Sequence, residues 1–148
     1  MYALLNFLHT AAAIVWLGGM GFMLAALRPV VITQLKPPVR LPLLSAVLTR
    51  FFVIVWISIG VLIVSGFNML TDVGIERAPL GQHLMLGIGL LMFALFAYLF
   101  FAPFRRLKLA VTAGDWPLAG QQIRQIHWLV VTHFTLGWIA LAAVLLVR

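Results

Sequence analysis

Between Leu4 and Leu27 the chain carries no charged residue. A helix rising about 1.5 Å per residue covers roughly 36 Å over such a stretch, enough to cross the hydrocarbon of a bilayer. Stretches of similar character follow at about 45–70, 81–101 and 123–147. Together they predict an all-α integral membrane protein: a four-helix bundle, antiparallel and up-down, with residues 1–148 forming one transmembrane domain. The chain is 64% hydrophobic and 9% charged, with a mean hydropathy of +1.15, well above soluble domains, which are about 45–50% apolar. The first stretch is too long, and lacks the basic lead-in, for a cleaved signal peptide. It is expected to remain as a span.

One ionisable group interrupts that first span. His9 shares a helical face with Ala13, Trp16, Met20 and Met23, which recur at steps of three and four residues. A histidine facing lipid is costly, so His9 is expected to point into the bundle or a wet cavity, where an intramembrane ionisable residue is a functional candidate. The plainer alternative is a neutral imidazole bonded to a carbonyl or to Asn6. Ala11, Gly18 and Ala25, and beside them Ala12, Gly19 and Ala26, form rows of small residues that admit a neighbouring helix or a second copy of the chain.

The sequence has no cysteine, which removes disulfides, thiolate metal sites and cysteine nucleophiles. Its acids are Asp72, Glu76 and Asp115, all expected in loops. Paired-carboxylate catalysis and carboxylate-bridged di-iron sites within the membrane are thereby excluded. Ser58 and Ser65 lack a nucleophile-elbow pattern, which argues against a serine hydrolase. The net charge of +7 sits at span ends and forms no basic face for nucleic acid.

Along the chain, Arg28-Pro29 to Pro42 reads as a Pro-rich connector, and Pro103 as the stop of the third span. On the second span Ser58, Ser65, Asn68 or Met69, and Asp72 form a weakly polar stripe of the kind that joins helices. His83 opens the third span, with Met85 and Met92 nearly opposite it. Gly114-Asp115-Trp116-Pro117 predicts a helix break, an Asp N-cap and a first-turn proline. On the fourth span His133 shares a stripe with Gln122, Gly137 and Ala140, while His127 sits beside Trp128 at the interface.

The connectors at one end, with their helix ends, hold Arg28, Lys36, Arg40, Arg50, Arg105, Arg106, Lys108 and Arg124; the other end holds Arg77 and Arg148. By the positive-inside rule both termini and the 71–80 loop face the periplasm or exterior. Counted from that outer end, His9, His83 and Met69 fall within a layer of roughly 6 Å, and His133 lies near 21 Å depth. Two chemistries fit. Imidazole and thioether suit Cu(I), so His9, His83 and Met69 are candidate metal ligands, with Met20 and Met23 as a path inward. Alternatively, paired histidines in an aromatic bundle suit haem b, with His9, His83 and His133 as candidate ligands and Trp16 packing on the macrocycle. A third reading is a non-catalytic subunit of a larger membrane complex, its small-residue rows covered by partner helices. No enzymatic reaction follows from these residues.

The run His9-Thr-Ala-Ala-Ala-Ile-Val-Trp16-Leu-Gly18-Gly19-Met20 through Leu27-Arg28-Pro29 resembles the opening helix of CopD-like (copper resistance protein D) membrane proteins. Arg50-Phe51-Phe52, Ser65-Gly66, and the segment from Phe101-Ala-Pro103-Phe-Arg105-Arg106 to Ala113-Gly114-Asp115-Trp116 resemble that family's short stand-alone members. The resemblance implies a bacterial inner-membrane bundle handling copper, with His9 as the transferable site residue and a periplasmic copper chaperone or membrane-complex subunit as partner. The opening histidine is also similar to that of HemJ-type four-helix proteins associated with haem b. Both groups commonly carry a lysine in the third helix, where this chain has Met85-Leu86-Gly87, a departure that counts against porphyrinogen oxidation.

Overall fold

Long runs of Leu, Ile, Val, Ala and Phe with no interior acid favour helix, because in lipid every backbone amide must be satisfied within its own segment. In a computed structural model, which describes residues 2–147 apart from the side chains of Val73 and Ile75, these runs form four helices long and apolar enough to cross a membrane. We label them α1 (Tyr2–Gln34), α2 (Pro37–Val73), α3 (Leu80–Ala113) and α4 (Trp116–Leu146). No strand occurs among the described residues. Arg148, counted above with the sparsely charged end, lies outside them.

The helices cover the four expected spans, except that α4 stops at Leu146, one residue short of the expected end, and they run beyond the spans at the basic end. Two expected breaks are absent. Pro29 does not end α1, which continues through it to Gln34, and Pro103 does not end α3, which continues to Ala113. The physical reason is the same in both. A π-helical turn at Met23–Leu27 immediately precedes Pro29, and a second at Phe100–Phe104 contains Pro103. In the first, the Arg28 N–H bonds back to the Met23 carbonyl five residues earlier. This wider turn absorbs a residue that lacks an N–H and would crowd the i−4 carbonyl of a regular helix. Pro42, expected in the connector, likewise lies inside α2.

The breaks occur elsewhere. Leu35 and Lys36 are extended before Pro37 and Pro38, which occupy the first turn of α2, as the restriction on pre-proline residues requires. Gly114 adopts a left-handed φ of 68° and Asp115 caps α4, its Oδ1 accepting from the Leu118 N–H at 3.0 Å, as the tetrad predicted. A single 3₁₀ turn at Ile75–Arg77 follows Gly74 (φ 84°) between α2 and α3.

The pairing is antiparallel. His9 meets Ser65 near one end of α1 and α2, and the Ile32 carbonyl accepts from Arg40 near the other. Along α3 and α4, Gln125 donates to Tyr98, His133 reaches the Met92 carbonyl, and Gly81 packs on the Ala143 and Val147 carbonyls. The 34–37 and 113–116 turns therefore share an end with the clustered Lys and Arg residues. Trp16, Met20, Phe52, Val55, Phe96 and Ile126 centre the core. Phe7, Ile14, Phe67, Trp128 and Leu145 are among many large apolar side chains left exposed, the distribution expected of helices bathed in lipid.

Candidate functional site

His9 projects from α1 into its seam with α2, where its Nδ1 lies 2.8 Å from Ser65 Oγ. Ser65 is buried, and its hydroxyl also sits 2.5 Å from the Val61 carbonyl of its own helix. A serine has one proton. Placed on the close Val61 carbonyl, it leaves Oγ to accept from His9 Nδ1–H. A neutral ring that donates from Nδ1 in this way carries its lone pair on Nε2, the arrangement a second-sphere partner gives a ligating histidine. Gly66 completes the seat: a Cβ there would lie 3.2 Å from His9 Cε1. Asn6 is not the partner of His9; its place is taken by a residue on the neighbouring helix.

His83 repeats the pattern at the start of α3. Its Nδ1 lies 3.2 Å from the Pro79 carbonyl, which accepts the Nδ1–H and again leaves Nε2 unengaged. The ring is exposed, and no hydrogen bond joins it to His9 among the described residues. Met69 is half-buried one turn beyond Ser65 on α2, towards the same end of the molecule. Among the described residues no group of three or more His, Cys, Asp or Glu side chains converges on one point, so any soft-metal site here draws on imidazole and thioether.

His133 differs. It is 2% exposed, and both ring nitrogens face carbonyls, Nδ1 at 2.7 Å from Leu129 and Nε2 at 3.0 Å from Met92. It ties α4 to the backbone of α3. Trp16 is equally enclosed, stacked on Phe93 and edge-on to Phe96, with the His133 ring centroid 6.1 Å away. The cavity among Trp16, Met20, Phe52, Phe96 and His133 measures about 10 Å³, no more than one water molecule needs. Gln122, Gly137 and Ala140, on the His133 stripe, are buried with it. Gly137 lets Leu17 of α1 pack close to α4, since a Cβ there would force the Leu17 side chain to shift.

The sequence places Ser65 in a helix-joining stripe and Ser65-Gly66 in a family resemblance, and neither assigns them to His9. Their role follows only from the packing of α1 on α2.

No curated protein and no solved structure matches the chain. The family model described as copper resistance protein D matches residues 45–147, which takes in α3, α4, most of α2, and the Ser65-Gly66 seat. The opening helix with His9 lies before the matched stretch. With more than half its length matched, the chain belongs to the copper resistance protein D family.

Proposed function

We propose that this protein binds Cu(I) as cargo in the bacterial inner membrane, at the end of the bundle opposite the basic cluster and facing the periplasm. His9 Nε2 is the anchoring ligand in this reading. Met69 and His83 are the further donors offered by the same end. The observation that carries it is the 2.8 Å contact between His9 Nδ1 and Ser65 Oγ, which supports the tautomer able to ligate through Nε2. A neutral imidazole and a thioether suit a soft monovalent ion, and the family bears copper in its description.

The proposal is one of binding. Met20 and Met23 continue the His9 face inward, yet a cation following them would meet the positively charged Arg28 beside Met23. The haem b reading draws no support from the packing. His133 is buried with both ring nitrogens against backbone carbonyls, and the space beside Trp16 is far below the size of a macrocycle.

The test is titration of the detergent-purified chain with Cu(I) against a chromophoric chelator. The wild type is expected to take up copper near one equivalent, and His9→Ala to weaken it at least tenfold. A His9→Ala, His83→Ala double variant that folds and retains full copper binding overturns the reading.

A further inference from the structure

At the basic end, α1, α2 and α4 enclose a cavity of about 40 Å³, with walls that include Met23, Leu24, Leu44, Leu48 and Ile126. Two polar side chains also line it, Arg28 from α1 and His127 from α4. Arg28 Nε and His127 Nδ1 are both buried there, and neither has a hydrogen-bond partner among the described residues. Leaving a charged donor in that state costs more than the roughly 1–3 kcal/mol of a neutral one, so the pair calls for an acceptor from outside the chain.

No described side chain bonds to either atom, and no described carboxylate lies beside them. Asp115, the acid at this end, is exposed and caps α4 through the Leu118 N–H. Asp72 and Glu76 lie at the opposite end of the bundle. A metal ion is unsuited, because the guanidinium is a fixed positive charge. The space admits two or three atoms the size of a water oxygen, and everything around the two polar groups is hydrocarbon. The matching ligand thus presents anionic oxygens and carries an apolar remainder.

We propose that this cavity receives the anionic oxygens of a phospholipid phosphate seated at its mouth, from the leaflet at the basic end. Its oxygens accept from Arg28 Nε and meet His127 Nδ1, and its acyl chain lies along the apolar side chains outside. The surrounding Lys36, Arg40 and Arg124 draw anionic lipid to that end in general. Arg28 and His127, unlike them, are positioned and partly desolvated, which turns attraction into a site.

Native mass spectrometry of the full chain, released from detergent and titrated with dioleoylphosphatidylglycerol or dioleoylphosphatidylcholine, tests this. The wild type is expected to retain phosphatidylglycerol severalfold better than phosphatidylcholine. Arg28→Gln is expected to lower phosphatidylglycerol retention about fivefold, whereas an Arg105→Gln, Arg106→Gln variant, altered at exposed positions of the same end, changes it less than twofold. Equal retention of the two lipids by the wild type overturns the proposal, as does equal loss in both variants. Inorganic phosphate that abolishes phosphatidylglycerol retention at millimolar concentration identifies a free-anion site and overturns the lipid assignment. Should Arg28→Gln fail to fold, Arg28→Lys keeps the charge and removes the Nε–H: weakened retention supports the site, and unaltered retention overturns it.

Discussion

The imidazole of His9 and the hydroxyl of Ser65, 56 positions apart in the chain, meet at 2.8 Å across the α1–α2 seam. That contact joins the one ionisable residue of the first span to the segment shared with the family. It decides which ring nitrogen is left for a ligand.

Ser65→Ala removes the acceptor for Nδ1–H and frees the ring to rotate or change tautomer. Losing a second-sphere partner of this type lowers metal affinity about 10–100-fold, with a stability loss of about 1 kcal/mol for one interhelical bond. Chelator competition and thermal unfolding on the same sample check both. Full copper affinity in this variant would show that the contact plays no part in binding.

Gly66 is a steric requirement of the same seat. The methyl of Gly66→Ala must push the His9 ring by a few tenths of an ångström, whereas Gly66→Leu displaces it. Copper affinity is expected to fall in the order Gly, Ala, Leu, measured by the same titration.

His133→Leu is expected to act in the opposite sense. It removes the one hydrogen bond that a neutral ring can donate to the Leu129 or Met92 carbonyl and the packing of the imidazole between α3 and α4, costing about 1–3 kcal/mol, while copper affinity stays within about twofold of wild type. Stability measured in detergent and copper titration separate the two effects. A tenfold loss of copper binding in a folded His133→Leu protein would make His133 part of the site.

The orientation is testable because the chain has no cysteine. Glu76→Cys in the α2–α3 turn is expected to react with a membrane-impermeant maleimide in intact spheroplasts, and Lys36→Cys in the α1–α2 turn only after lysis. The reverse pattern would place the basic end outside.

What the sequence disclosed followed from composition and from local chemistry. The uncharged runs announce the helices, and Gly114-Asp115-Trp116-Pro117 marks the turn before α4, because a left-handed glycine and an Asp cap act over a few residues. Pro29 and Pro103 misled for an equally local reason: a π turn can absorb a proline, and its presence is not written in the neighbouring residue types. His9 stood out as a lone imidazole among apolar neighbours. Its partner did not, since a serine on a helix is ordinary until tertiary packing brings it to a ring nitrogen. The same holds for His133, whose dual carbonyl contacts depend on how closely α3 approaches α4.

The most direct test of the central claim is ¹⁵N–¹H correlation of the histidine rings in isotope-labelled protein, before and after one equivalent of Cu(I). His9 is expected to be the Nδ1–H tautomer in the free protein, and its Nε2 resonance to move on copper addition, with His133 unchanged. A His9 ring protonated at Nε2, or an Nε2 signal unmoved by copper, would contradict it.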